Sequence, residues 1–260
     1  MTLINELFNL KNKTALITGA SSGLGRQMAK TLAQAGADII GVARDKVRLS
    51  ELASGIESME RQVKTFSVDF NDSNATQNFI NAINDEQIKI DILINNAGIV
   101  KMTPVDGDHL DLWEKQINVN LKAVWQLTQG ICKQMIANNI PGSIINISSI
   151  NGAASPYAGA SAYSATKAAV IQMSKVLSGE LSKFNIRVNT IIPGLFYTEL
   201  TGERIDNDPT IIQQIPLKFV AEPKDIDGLV LYLASNKASR YVTGAQFVID
   251  GGISANCKGI

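Results

Sequence analysis

Short apolar runs rich in β-branched residues recur along the chain, separated by longer stretches in which apolar positions return every three or four residues. The short runs predict strands: TALIT (14–18), DIIGVA (38–43), VKTFSV (63–68), IDILIN (90–95), SIINIS (143–148), IRVNTII (186–192) and AQFVID (245–250). The longer stretches predict helices over 24–35, 46–60, 74–87, 108–138, 161–184 and 225–235. The first six runs are almost continuously hydrophobic, as strands are when helices cover both faces of their sheet. Regular strand–helix alternation then implies an α/β protein with a doubly wound parallel sheet of about seven strands and right-handed crossovers.

No repeat, low-complexity tract or linker interrupts this alternation, so residues 1–260 read as one domain. One segment breaks it. FYTELTGERIDNDPTIIQQIPLKFVAEPKD (196–225) is polar, holds three prolines and has weak helical periodicity. An irregular insert after a strand's carboxyl end lies over the ligand crevice of such a sheet. It is expected to be a substrate lid, with an ordinary surface excursion as the alternative.

Composition narrows the function. Twenty-four basic side chains against twenty-four acidic ones leave no formal charge, unlike the basic footprint of a nucleic-acid or anionic-membrane binder. No apolar run reaches membrane-spanning length, and the opening MTLINELFNLKNKTALITG has polar and acidic breaks and is read as running straight into a strand. The expectation is a soluble, cytoplasmic protein with no membrane or nucleic-acid partner. Cys132 and Cys257 form no CxxC; Cys132 reads as a small core residue and Cys257 lies near the end of the chain. His109 is the only histidine, read as a surface residue opening a helix, which excludes a histidine triad or multi-histidine metal site. No metal is expected.

TGASSGLG (18–25) follows the first strand and opens a helix. Gly19, Gly23 and Gly25 allow a sharp turn, close approach of a pyrophosphate and tight helix–sheet packing, while the helix amino end offers N–H groups to the anion. No lysine follows Gly25, so this is not a P-loop but a Rossmann-like dinucleotide turn, with Ser21, Ser22 and Leu24 counted in its cofactor site. The second strand ends VARDK. An arginine at that tip accommodates the 2′-phosphate of NADP, so Arg44 favours NADP(H) over NAD(H). Asp45 either caps the next helix or, turned inward, repels that phosphate. Asp69, with Phe70 beside it, either accepts from the adenine amine or caps the helix near 74.

Tyr163 and Lys167 stand at i and i+4 in SAYSATKAA (161–169), one helical turn apart and about 6 Å between Cβ atoms. A free phenol titrates near about 10, and an adjacent ammonium favours its ionised form. The pair would make a proton donor and acceptor suited to hydride chemistry at a carbonyl. Ser161, Ala162, Ser164, Ala165, Ala168 and Ala169 keep the helix slim enough for a cofactor to lie against it. By itself the pair is equally a chance pairing on a solvated face.

It does not stand by itself. Thr18–Gly25 as TGxxxGxG, Asn95–Gly98 as NNAG, Asn118–Leu121 as NVNL, Ile145–Ser149 as INISS, Tyr163–Lys167 as YxxxK and the Pro193–Gly194 turn occur in this order. In these motifs the chain resembles the short-chain dehydrogenase/reductase family, from TALITGASSGLG to VIDGG. The resemblance implies that Tyr163 is the general acid of carbonyl reduction and the base of alcohol oxidation. Lys167 would bond the nicotinamide ribose and lower the tyrosine pKa, Ser149 would bond the substrate oxygen, and Asn120 would hold a water linking Lys167 to solvent. Asn96, Ala97 and Gly98 would pass beneath the adenosine ribose, and Pro193, Gly194 and Thr198 would close over the nicotinamide and its carboxamide or the pyrophosphate.

Ser149 and Tyr163 are 14 positions apart, one more than is usual in the family, and Pro156 and Gly159 lie in the loop that would absorb the extra residue. Ser148 is therefore the competing serine, and only one of the two can face the site, because neighbouring strand residues point to opposite faces. Substrate-facing residues are expected from 98–104, 151–160 and 196–225, with Lys101, Arg204 and Lys218 as cations able to meet an anionic carboxylate or a phosphopantetheine arm. ELFNLKNK and GADIIGVAR look most like members of the gluconate 5-dehydrogenase and 3-oxoacyl-thioester reductase types. The expected reaction interconverts a secondary alcohol and a ketone on a sugar acid, a polyol or a 3-oxoacyl thioester. The competing class is a catalytically silent dinucleotide-binding sensor or scaffold, which would be expected to lose the tyrosine, the lysine or the glycine turn. YVTGAQFVIDGG resembles the family's C-terminal strand, which commonly packs between subunits, so a homo-oligomer is expected, tetramer or dimer.

Overall fold

In the computed structural model, residues 2–154 and 157–255 are described; Pro156 and Cys257 lie outside them. Seven strands, β1 (Thr14–Thr18), β2 (Asp38–Ala43), β3 (Val63–Ser67), β4 (Ile92–Asn95), β5 (Ser143–Ile147), β6 (Arg187–Pro193) and β7 (Gln246–Ile249), form one sheet. All pairings are parallel, in the order β3-β2-β1-β4-β5-β6-β7. The pleat explains the continuous hydrophobic runs. Ala15, Ile17, Ile39, Ile92, Ile94, Ile145 and Ile147 face one core, while the intervening Leu16, Ile40, Leu93 and Ile144 face the other.

The helices, in chain order, are α1 (Leu3–Phe8), α2 (Gly23–Gln34), α3 (Lys46–Glu57), α4 (Ser73–Asp85), α5 (Leu110–Ile117), α6 (Ala123–Ala137), α7 (Ile150–Ala153), α8 (Ser161–Leu181), α9 (Gly202–Asn207) and α10 (Asp227–Ala234). Side chains of α2, α3 and α10 fill the first core; those of α4, α6 and α8 fill the second. Cys132 is part of the second core, and burial pushes its thiol up to about 12. Each Leu or Ile taken fully out of water there contributes about 1.5–3 kcal/mol.

Four local features depart from the sequence pattern. The opening does not run straight into β1: α1 forms first, with the Thr2 hydroxyl accepting from the Asn5 N–H, and it buries none of its residues. The stretch 108–138 is divided by a π-helical turn at Asn118–Lys122, between α5 and α6. β3 and β7 lie at the two edges of the sheet and carry partly exposed residues. β5 ends at Ile147, where Ser149 turns the chain into the single turn of α7.

The strand order reverses between β1 and β4, which opens a crevice above their carboxyl ends. The 196–225 segment leaves β6 and rejoins itself, with Phe196 bridging Ala221 and the Tyr197 N–H donating to the Ala221 carbonyl at 2.7 Å. Between these points it carries α9 and buries Ile205, Ile211 and Ile215.

Candidate active site

A cleft of about 1180 Å³ occupies that crevice. The turn from β1 into α2 forms its floor. Gly19 and Gly23 have φ of +66° and +51°, the left-handed region that favours glycine. A Cβ on Gly19 would stand 2.8 Å from the Asn96 amide nitrogen, and one on Gly25 only 2.2 Å from the Gly19 carbonyl oxygen. The Thr18 hydroxyl knits the turn to β4, accepting from the N–H groups of Asn96 and Ala97 at 2.9 Å each. Asn96 returns the contact through its side chain, donating to the Thr18 carbonyl at 3.0 Å. Ser22 makes no side-chain cap on α2, so the first-turn N–H groups have no acceptor from it. An uncapped helix start beside a backbone cradle that tolerates no Cβ fits a dinucleotide pyrophosphate.

On the β2 and β3 side of this cradle the cleft is lined by Arg44, Asp45, Arg48, Asp69 and Phe70. Arg44 is exposed and makes no ion pair among the described residues. Asp45 takes the capping role: its carboxylate accepts from the Arg48 N–H at 3.0 Å and pairs with the Arg48 guanidinium at 3.5 Å. Asp69 does not cap α4. It accepts from the Asn71 N–H at 3.0 Å, and Asp72 caps the helix instead. The guanidinium of Arg48 also donates to Glu199, which raises the Arg48 pKa and links α3 to the 196–225 segment. Neither member of that pair stood out in the sequence. Arg48 had a signal, one turn after Arg44 at the start of a helix; Glu199, 151 residues away, had none.

At the opposite end, α8 presents Tyr163 and Lys167. Lys167 is 4% exposed, its Nζ donating to the Ile147 carbonyl at 2.8 Å and lying 5.7 Å from the centre of the Tyr163 ring. Tyr163 is half-buried and lines the cleft. Burial raises its phenol above the ordinary value, while the Ser149 hydroxyl pulls it down. The expected lowering by the lysine does not arise here, because its Nζ is engaged by the Ile147 carbonyl and set off from the phenol, and desolvation dominates. Both serines line the cleft just past the end of β5, and their hydrogen bonds divide them. Ser148 is 3% exposed and donates to the Lys167 carbonyl at 2.8 Å, tying β5 to α8. Ser149 caps α7 through the Asn151 N–H at 3.2 Å and stays beside Tyr163. After Ser149 the chain forms α7, which lies so close to α8 that a Cβ on Gly152 would meet the Lys167 and Ala168 backbone at 2.5 Å.

Asn120 lies in the π turn, fully buried. Its carbonyl oxygen accepts from the Ile99 N–H at 2.8 Å and its amide donates to the Ile99 carbonyl at 2.9 Å. A π turn of this kind displaces one residue from the regular helical spiral and recurs at functional sites. The clamp holds Gly98 beside Lys167, where an added Cβ would stand 3.4 Å from both Asn120 Oδ1 and Lys167 Nζ. Pro193 and Gly194 line the adjacent wall, and Thr198 sits over the glycine turn, 3.4 Å from where a Gly23 Cβ would be. Of the three cations considered for an anionic substrate, Arg204 alone lines the cleft; Lys101 is exposed elsewhere and Lys218 donates to the Gln213 carbonyl at 2.9 Å. Arg204 lies over the ring of Tyr157, which lines the cleft from within the 151–160 stretch expected to face the substrate.

The buried lysine has a measurable consequence. Desolvation lowers its pKa from 10.5 to about 8. Between those values the unfolded chain keeps a proton that the folded chain gives up, so stability contributed at this position rises with pH across the window. Below about pH 8 the full cost of burying the ammonium stands, about 3 kcal/mol. Lys167→Met has no such titration. In urea melts from pH 7.5 to 9.5 the parent should therefore gain stability relative to the variant; parallel curves would show that burial does not govern this amine.

Known proteins share this chain's sequence pattern and fold. The family model described as short chain dehydrogenase matches residues 13–209. The chain is 36% identical over 255 residues to a 2-dehydro-3-deoxy-D-gluconate 5-dehydrogenase of Pseudoalteromonas atlantica, covering 95% of this chain and 98% of the relative. It is 36% identical over 246 residues to a 3-oxoacyl-acyl-carrier-protein reductase of Thermotoga maritima, covering 94% and 98%. A crystal structure of a gluconate 5-dehydrogenase from Burkholderia cenocepacia, in complex with NADP and tartrate, superposes with a TM-score of 0.90 at 29% identity, covering 98% of this chain and 100% of that one. By motif order, topology and these likenesses, the chain belongs to the short chain dehydrogenase family, as a dehydrogenase/reductase acting on CH–OH groups.

Proposed function

We propose that this enzyme interconverts a secondary alcohol and a ketone on a sugar acid, using NADP(H) in preference to NAD(H). The observation that carries the reading is one cleft into which Tyr163 and Ser149 both open, with Lys167 buried behind them and the glycine cradle at the other end. Gly19, Ser21, Ser22, Gly23, Leu24 and Gly25 would hold the pyrophosphate, Arg44 the 2′-phosphate, Asp69 and Phe70 the adenine, and Asn96 to Gly98 the ribose. Pro193, Gly194 and Thr198 would flank the nicotinamide, which supplies or accepts the hydride when bound. Tyr163 gives its phenolic proton to the carbonyl oxygen in reduction and removes the alcohol proton in oxidation. Ser149 donates to the same oxygen and stabilises the charge that develops there. Lys167 is anchored at Ile147 and has two further N–H bonds for the nicotinamide ribose. Asn120 positions this end by clamping Ile99, and its backbone is the candidate site for a water that resupplies the proton.

The 196–225 segment acts as the substrate lid, its base tied where Phe196 meets Ala221. Support for a sugar acid comes from the dehydrogenase of P. atlantica and from the B. cenocepacia complex, solved with the hydroxy acid tartrate. A 3-oxoacyl thioester is the second reading, favoured by an equal 36% identity to the T. maritima reductase. A silent sensor or scaffold is disfavoured because the tyrosine, lysine and glycine turn are all present. A panel of keto acids, ketoses and 3-oxoacyl thioesters, followed by NADPH consumption, separates the three. Assembly proceeds through the edge strand β7, whose Val248 is half exposed; sedimentation of the purified protein tests it.

Cofactor choice rests on Arg44. Arg44→Ala should raise KM for NADPH by about 30-fold, the value of one charge-assisted contact of about 2 kcal/mol, and leave NADH kinetics nearly unchanged. Thermal-shift titrations with NADP⁺ and NAD⁺ provide the same comparison without turnover. Equal losses with both cofactors would assign Arg44 a structural part only.

A further inference from the structure

Arg204, in the 196–225 segment, holds its guanidinium 4.1 Å from the centre of the Tyr157 ring, which belongs to the loop between α7 and α8. Both line the cleft that Tyr163 and Ser149 share. Two acids follow Arg204 closely in sequence, yet neither neutralises it. Asp206 accepts from the Tyr197 hydroxyl at 3.0 and 3.2 Å, and Asp208 is engaged by the Thr210 N–H at 3.1 Å and by the Thr210 hydroxyl. Among the described residues Arg204 forms no ion pair. The ring holds the guanidinium by a cation–π contact while no hydrogen bond engages its N–H groups among the described residues, and that planar fork matches the two oxygens of a carboxylate.

We infer that Arg204, held over the Tyr157 ring, recognises the carboxylate of the substrate itself, and that the enzyme selects a hydroxy or oxo acid whose free carboxylate lies away from the reacting carbon. The inference rests on the reading that Tyr163 and Ser149 mark the reacting carbon. It separates a free acid from a neutral polyol and from an acyl group masked as a thioester. A phosphate on a pantetheine arm shares the anionic chemistry, so the test must tell the two apart.

The test compares the parent with Arg204→Gln, Arg204→Lys, Tyr157→Phe and Tyr157→Ala on an oxo acid, its neutral primary amide, and the same 3-oxoacyl group on coenzyme A and on uncharged N-acetylcysteamine. Arg204→Gln should raise KM for the acid by about 10- to 100-fold with kcat within about threefold, and leave the amide unaffected. Tyr157→Phe should keep the parent's preference for acid over amide, and Tyr157→Ala should lose part of it. Arg204→Lys should recover the acid only partly, because an ammonium cannot present the planar fork. As a readout besides turnover, thermal stabilisation by tartrate should fall in Arg204→Gln while the melting temperature without ligand stays at the parent's. Equal losses on acid and amide would overturn the inference and make Arg204 a structural part of the lid. A loss confined to the coenzyme A thioester would overturn it in favour of a phosphate contact. Failure of the underlying reading is a separate result, seen if Tyr163→Phe matches the parent on every substrate.

Discussion

Replacing Tyr163 with phenylalanine is expected to lower kcat by roughly 10²- to 10⁴-fold, the usual contribution of a positioned general acid–base group. The substitution removes one oxygen and retains the ring, so packing on α8 and the 5.7 Å relation to Lys167 are kept. Cofactor affinity, followed by fluorescence titration, should therefore stay near the parent's. The direction of the phenol's shift adds a pH signature. Because burial raises it above the ordinary tyrosine value, the hydroxyl is protonated throughout the neutral range. Ketone reduction needs that protonated form and is expected to vary little from pH 6 to 8. Alcohol oxidation needs the proton removed, so its kcat/KM should climb with pH in the parent and lose that climb in Tyr163→Phe. A variant with more than a tenth of parental activity on every substrate would exclude Tyr163 as the proton carrier.

The second large effect is expected at Gly25. Its missing side chain leaves room for the Gly19 carbonyl: a Cβ would lie 2.2 Å from that oxygen, 2.5 Å from the Asn96 amide nitrogen and 2.8 Å from the Gly19 carbonyl carbon. Two of these atoms are backbone, so no rotamer change relieves the overlap, and the turn itself has to open. Gly25→Ala should cost about 3 kcal/mol, at the upper end of overpacking by one carbon. For a chain of this size that lowers Tm by roughly 6–12 °C. Opening the turn also separates the Thr18–Asn96 contacts that shape the cradle, so stabilisation by NADP⁺ or NAD⁺ in thermal shift should vanish. Gly55 is the control. It lies in α3 with nothing within 4 Å of an added Cβ, and Gly55→Ala should stabilise the protein by about 0.5–1 kcal/mol. If Gly25→Ala melts with the parent and binds either cofactor, the close approach of helix and turn is not what builds the site.

These expectations divide according to how far apart in the chain their causes lie. The layered sheet was legible in one dimension because a strand covered on both faces must be apolar at consecutive positions, as TALIT and SIINIS are. Tyr163 and Lys167 were legible for a similarly local reason: four residues make one turn of any helix. The glycine turn was legible because its demands act on adjacent peptide units. Local geometry did not reveal which serine stays beside Tyr163, since Ser148 and Ser149 are chemically identical until packing on α8 engages the first. Nor did it reveal that Asn120 grips Ile99, that Glu199 holds Arg48, or that Arg204 lies on Tyr157. The phenol's shift went the opposite way for the same reason: a neighbouring charge is countable from spacing, whereas desolvation depends on everything folded around the ring. Backbone periodicity is set within one turn or one pleat and leaves its mark on the sequence, while contacts between distant segments exist only after the chain has packed.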